Sequence, residues 1–442
     1  TATKRYTERY IAVWRNLLND IDIRELRDIG DANSVLATLS GTQSPINRLL
    51  GVVADNTELP IQVGGLGGLS VPQGVPGGAK IAGAVSAASS AIDRAGASGA
   101  AQGNWPGTPI TRAFSDILAL VRGSNNQRPG LADIQQEIIA VYGQMNAIDT
   151  ASDIGKASYE AVRQRLQNKN QRDALSQMAT SAVSQPEPLR HILGEIPGSL
   201  WSVTLSEARV YLNEQWRRDV VGECTRAVLN RYPVHRDGRD ETTLKDFGTF
   251  FGPGGTLDGF QTAYLGEFVD TTTRPWKNRL VQGDGLNLSA PFLSALERAS
   301  VVRSTFFRNG TPSPAVNFTL KPTYLDAQAA RVAIDTGSQI ITYRHEPPRT
   351  FNLTWPDPSS AQQIAITITD TNGNSSSIQT AGPWAWFRLF DQLKLQRTGL
   401  ADKFVLPIEI RGRKATFELN ADSITNPFEL PELSEFRCQP GL

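Results

Sequence analysis

The sequence predicts an α+β multidomain protein, with N-terminal helical subdomains followed by a C-terminal antiparallel β-sandwich that carries one inserted helix. Three observations support this. Apolar residues recur at helical spacing, block after block, as far as Val301. After Phe307 the period switches to alternation in short runs bounded by turn residues. Between Trp201 and Val301 aromatics crowd together, most densely in a helix, hard turn and helix over Asp246 to Trp276. The expected divisions are 1–195, a helical subdomain with a Gly/Ala-rich segment at 59–109; 196–306, a second helical subdomain; and 307–442, the sandwich.

Composition narrows the function classes. A chain of 442 residues is long enough for two or three domains, each burying its own core. With 40% apolar and 20% charged residues it has an ordinary globular composition. Lys plus Arg equals Asp plus Glu at 44 each, so the basic surplus of a nucleic-acid binder is missing. His191, His235 and His345 stand without ligand-spaced neighbours and read as surface or satisfied residues, so no metal or other cofactor is expected. There is no GxSxG, no HExxH and no Cys-His pair at a credible site, and an enzyme is not expected.

Taken in order, Tyr6, Tyr10, Val13, Trp14, Leu17 and Leu18 form the apolar stripe of a docked surface helix. Ser44-Pro45 supplies an N-cap and first-turn proline for a helix through Ile46, Leu49, Leu50 and Val53 that ends by about Asn56. Twelve glycines between Leu59 and Pro109 oppose regular structure, leaving a short helix at Ala84 to Ala95 and Trp105 as an anchor. Helical periodicity resumes at Ile110 to Val121 and Leu131 to Met145, then in a polar helix through Tyr159, Val162 and Leu166. Pro186, Pro188 and Pro197 predict a break near Gly194. Trp201, Leu205, Leu212, Trp216 and Val220 open the second block, which Pro233 ends.

The helix hairpin follows. Phe247, Phe250 and Phe251 share one side of a helical turn, Gly252-Pro253-Gly254-Gly255 stops it, and Thr256 caps a second helix carrying Leu257, Phe260, Tyr264, Leu265 and Phe268. Two of those glycines can take positive φ, and the proline cannot continue a helix. No Lys-Ser or Lys-Thr follows them, and the preceding residues are helical in pattern, so neither a P-loop nor a dinucleotide fingerprint is present. Asp258 and Asp270 read as capping and turn residues, with paired catalytic acids as the other reading. Beyond Phe307, strands are expected at 316–320, 329–335, 340–343, 351–355, 364–368, 404–406 and 415–419. Pro383, Trp384, Phe387, Leu389 and Phe390 predict the inserted helix, plugging one end of the sandwich.

Phe250 to Asp258, Phe268 to Asp270 and Trp276 carry a family resemblance, together with Arg231-Tyr232-Pro233, the run Gly382 to Leu389 with Trp384 and Trp386, and Phe436-Arg437-Cys438. In this order, spread over about 210 residues, they resemble the C-terminal periplasmic region of the IcmF/TssM family of type VI secretion systems. Val234, Gly266-Glu267 and Gln439 depart from the pattern locally. The resemblance implies a structural, interacting part of the inner-membrane protein, lying in the periplasm. Its implied partners are the outer-membrane lipoprotein TssJ, inner-membrane TssL and further copies of itself in a ring-like, envelope-spanning complex. It also implies a membrane-anchored half that is not part of this fragment, which has no run of about 20 apolar residues. Tyr343, Arg349, Phe351 and Trp355 are the candidate partner contacts. In an oxidising periplasm Cys224 and Cys438 could pair, while burial as two small apolar side chains accounts for them equally well. A different class of function, a secreted glycan-binding or glycan-active protein with a β-sandwich module, would need coplanar exposed tryptophans or two facing carboxylates.

Overall fold

A computed structural model describes residues 2–59, 107–123, 130–168, 173–281, 283–357, 362–400, 402–423 and 425–442. The expected Ala84 to Ala95 helix and the Trp105 anchor lie outside the described residues. The chain forms two compact units, Thr1–Glu207 and Ala208–Leu442. Among the described residues no helix is long and apolar enough to cross a membrane.

The first unit is helical: Ala2–Asn19, Ile29–Ser40, Pro45–Thr57, Thr108–Ala113, Ser115–Arg122, Leu131–Asp149, Ile154–Gln167, Ala174–Ala182 and the start of Leu189–Trp216. Leu36, Leu50, Val53, Ile138, Val141, Met178 and Leu193 fill its core. Local chemistry starts several of these helices. The carboxylates of Asp28, Asp153 and Asp173 accept from the backbone N–H groups of Asp31, Lys156 and Ser176, occupying donors that the first turn leaves free. Ser44 departs from expectation. It stands at the N-cap of Pro45–Thr57, but its hydroxyl makes no capping bond, and Pro45 sets the helix start. The stripe of the first helix also divides: Leu18 is buried, whereas Tyr6, Val13 and Leu17 face outward. Nor does the helix break near Gly194. Leu189–Trp216 runs through both Gly194 and Pro197, because apolar side chains on both sides, Leu193, Ile196 and Leu200, hold it by packing.

In the second unit a π-helical turn, Arg217–Val221, leads into Gly222–Ala227. The hairpin follows as Leu244–Phe251 and Thr256–Phe260, extended by a second π turn over Gln261–Leu265. Thr243 starts the hairpin by accepting from the N–H of Asp246 and donating to its carboxylate. Gly255, not Thr256, occupies the second N-cap. Among the three glycines of the turn only Gly254 has positive φ, at 67°. Short strands β1 (Val269–Asp270) and β2 (Lys277–Asn278) pair next, and the helix Ala290–Phe306 precedes the sheets.

Among the described residues nine further strands make two antiparallel sheets. They are β3 (Val316–Leu325), β4 (Ala329–Asp335), β5 (Ile340–Tyr343), β6 (Phe351–Trp355), β7 (Gln363–Asp370), β8 (Ser375–Ala381), β9 (Gln396–Arg397), β10 (Lys403–Ile410) and β11 (Arg413–Ala421). One sheet runs β6-β3-β11-β10-β9 and the other β5-β4-β7-β8. Alternation places Phe318, Leu320, Leu406, Ile408, Phe417 and Leu419 inside the first, and Val332, Ile334, Ile364, Ile366 and Ile368 inside the second. Two prolines sit where the ladder tolerates them. Pro322 lies at the bulge between β3 and β11, and Pro407 lies beyond the two residues of β10 that pair with β9. β8 was not foreseen: Ser-Ser-Ser-Ile-Gln-Thr-Ala has no apolar alternation, because an edge strand needs none. The inserted helix, Ala385–Leu393, packs against β7 and β8 of one sheet and β10 of the other, as a plug would.

Gly248 gives this packing a direct test. Alanine inside a helix normally stabilises by about 1 kcal/mol relative to glycine. At position 248, however, a Cβ would lie 2.0 Å from the carbonyl oxygen of Pro312. Gly248→Ala is therefore expected to destabilise the protein by about 2 kcal/mol or more in urea unfolding; a stabilised variant would contradict the packing.

Candidate functional site

Every motif that carries the family resemblance belongs to the second unit, and residues from three of them, Phe250 with Phe251, Trp384 with Phe387, and Phe436, join one aromatic hub. Phe247, on the helix before the glycine turn, lies 5.1 Å from Trp384 and 5.3 Å from Phe306, edge to face, and 5.7 Å from Phe307, stacked. Trp384 continues the contact to Trp355 at 4.7 Å and Phe387 at 5.0 Å. Phe250 and Phe251 meet edge to face at 4.9 Å, and Phe436 of the C-terminal tail joins Phe251 edge to face at 5.0 Å. Such pairs stabilise by about 0.5–1.5 kcal/mol each beyond the area they bury. The polar handles are mostly satisfied: Trp384 Nε1 donates to the carbonyl of Thr242 at 2.7 Å and Trp355 Nε1 to that of Pro383 at 2.8 Å. Trp386 packs on Phe318 and Phe390.

An ion network runs along the flank of this hub. Arg388 pairs with Glu241 and lies 4.1 Å above the ring of Tyr232. The Tyr232 hydroxyl donates to Asp391 Oδ2 at 2.7 Å, and Arg236 closes on the other oxygen of Asp391. Burial first, and the neighbouring Asp391 carboxylate second, push the Tyr232 hydroxyl far above the usual phenol range, so it stays a donor. This network was not foreseen in the sequence, although Arg388 offered a signal. A lone cation inside Trp-Ala-Trp-Phe-Arg-Leu-Phe requires a partner carboxylate once that run is buried.

Asp258 accepts from the N–H of Gly254 at 2.8 Å and pairs with Arg303 at 2.5 Å, which fastens the glycine turn to the Ala290–Phe306 helix. Asp270 accepts from the N–H and hydroxyl of Thr272, and these bonds hold its carboxyl below the usual range. Both acids thus serve capping and turn formation. Trp276 is buried, with its N–H donating to Glu297 Oε2 at 3.0 Å. Beside the hairpin lies an open cleft of about 640 Å³ lined by Asp219, Thr249, Pro253, Tyr264 and Pro312, among others.

Cys224 and Cys438 are joined in a disulfide with their Cα atoms 6.0 Å apart. The tail that carries Cys438 is tied down further by Trp216 Nε1, which donates to the carbonyl of Gln439 at 2.8 Å. Of the candidate partner contacts, Arg349 is exposed and stacks 4.8 Å above the half-buried ring of Phe351. Trp355 is corrected: at 1% exposure it is a core side chain, because Leu353 and Trp355 share the inner face of β6. Tyr343, at 9%, is likewise turned inward on β5.

Three family descriptions match the chain: "Intracellular multiplication and human macrophage-killing", IcmF-related, over residues 1–58, the type VI secretion protein IcmF helical domain over 207–312, and the type VI secretion protein IcmF C2-like domain over 318–423. Type VI secretion system component TssM1 of Pseudomonas aeruginosa is 31% identical across 98% of this chain, which spans 39% of that protein's length. A chain of a type VI secretion system membrane core complex matches with a TM-score of 0.71, at 19% identity over 99% of this chain and 83% of that one. A chain of a type VI membrane complex matches with a TM-score of 0.63 at the same identity and coverage. At these identities the structural matches establish the fold.

Two measurements check the geometry of the hub. The double variant Cys224→Ala, Cys438→Ala is expected to lose about 2–5 kcal/mol of stability, and the unfolded, unreduced parent should show no reactive thiol; two thiols would refute the bond. Burial, followed by nearby Arg437, lowers the pKa of His235. The unfolded chain therefore binds the proton more readily, and the stability contributed by neutral His235 is full above the unfolded value of about 6.5 and is lost as pH falls through the lower folded value. Thermal melts at pH 8 and pH 5 should show a larger acid loss for the parent than for His235→Gln, and equal losses would remove His235 from the account.

Proposed function

The chain belongs to the IcmF/TssM family, and from that premise we propose that it is a periplasmic, structural part of a type VI secretion inner-membrane protein. In this reading it links the inner-membrane complex to the outer-membrane lipoprotein TssJ and contributes to the envelope-spanning channel. Inner-membrane TssL and further copies of the chain complete the assembly. The reading includes a mechanical rather than catalytic role.

The observation that carries it is the use made of the family-motif residues and of the neighbours they meet. Phe247, Trp384 and Phe387 fill the interior, while Arg388, Glu241, Arg236, Asp391, Asp258 and Arg303 are all engaged in pairing. These groups brace a surface. That surface offers β8, a seven-residue sheet edge with no charge and no proline, suited to pairing with a partner strand. Arg349 adds an exposed cation over the half-buried Phe351 ring at the start of the opposite sheet's edge strand, β6. The glycan-binding reading has no comparable support, since Trp355, Trp384 and Trp386 are core side chains.

Size-exclusion chromatography of the whole chain with purified TssJ, read by light scattering, tests the proposal. A stoichiometric complex is expected, weakened by Arg349→Glu if the Arg349–Phe351 corner takes part. Absence of a complex together with binding to a glycan array would replace the proposal with its rival.

A further inference from the structure

His191, read from the sequence as a lone histidine, has ligand-type neighbours in the fold of the first unit. It shares a helix face with Glu195 four residues on, and Asp22 reaches the same place from the extended segment between the helices Ala2–Asn19 and Ile29–Ser40. His191 Nε2 is 3.5 Å from an Asp22 oxygen and Nδ1 is 3.7 Å from a Glu195 oxygen. One ligand atom from each of the three residues lies within 4.8 Å of the others.

We propose that His191, Glu195 and Asp22 form a zinc site that fastens the Asp22 segment to the Leu189–Trp216 helix. The chemistry favours zinc over other common dications. One imidazole nitrogen and two carboxylates suit a borderline cation, whereas magnesium and calcium take all-oxygen shells. Ligand atoms around tetrahedral zinc, each about 2.1 Å from the metal, lie about 3.4 Å apart. The contraction, from ligand atoms within 4.8 Å of one another, falls on three side chains that are all substantially exposed and free to change rotamer, with Asp22 at 64%, Glu195 at 52% and His191 at 43%. The imidazole coordinates through one nitrogen and gives up one of its two present carboxylate contacts, and water fills the fourth position. Electrostatics run the same way. A dication placed between two carboxylates offsets their charge. The helix spacing of four residues holds two ligands on one face before the ion arrives. The fold supplies the third, and sequence spacing cannot reveal it.

Isothermal titration of the whole chain with zinc chloride, with thermal melts alongside, tests the site. One zinc per chain is expected, and zinc at about 100-fold above its dissociation constant should raise the melting temperature of the first unit by roughly 5 °C. Magnesium at the same concentration should not. His191→Ala and Asp22→Asn alter exposed side chains, so circular dichroism should match the parent, and each should weaken zinc binding at least about tenfold. No saturable binding by the parent, or a smaller loss in either variant, overturns the site.

Discussion

The contact between Phe247 and Trp384 is the constraint on which the second unit depends. It joins the helix hairpin to the helix inserted between the sheets, and residues 247 and 384 lie far apart in the chain. With Phe306, Trp355 and Phe387 packed around it, the helical part and the sheets share one interior. Hydrophobic burial drives this association without fixing direction. Direction comes from indole N–H groups that find acceptors once buried, those of Trp384 and Trp355 on the backbone at Thr242 and Pro383.

Close backbone approach is the second consequence. The hairpin can sit under the loop before β3 only because Gly248 presents no Cβ to Pro312. The same economy of volume explains why the acids near the glycine turn are structural. Asp258 spans from the Gly254 N–H to Arg303, so the turn and the following helix hold each other in register. Around the hub, Arg388, Tyr232, Asp391 and Arg236 form a chain of charged and polar contacts in which each buried group meets an opposite charge or a hydrogen bond. Removing Asp391 would leave the buried Tyr232 hydroxyl without its acceptor.

Structure and function connect through what remains outside. A core closed by aromatics and ion pairs leaves the sheet edges and loops as the working surface, and β8 is the longest sheet edge among the described strands. The disulfide from Cys224 to Cys438 adds a covalent tie between the C-terminal tail and the helices that begin this unit. Such ties keep the surfaces in fixed relation within the unit.

Much of this was legible in the amino-acid order. The change from helical to alternating period near Phe307 reflects how each backbone geometry presents side chains to a core, and it marks where the sheets begin. Turn chemistry located the hairpin, and the aromatic count located the helical half of the hub, whereas Trp355, Trp384, Phe387 and Phe436 join it from beyond the helical block. Polar β8 escaped because edge strands need no apolar code, and the helix through Pro197 escaped because packing outweighs a missing hydrogen bond. Trp355 read as a contact and proved to be core, since one aromatic serves either purpose until its neighbours are known. Local order therefore determined which elements form. The tertiary structure alone decided which distant groups meet, Glu241 with Arg388 and Asp22 with His191, because such encounters depend on distances that no local periodicity encodes.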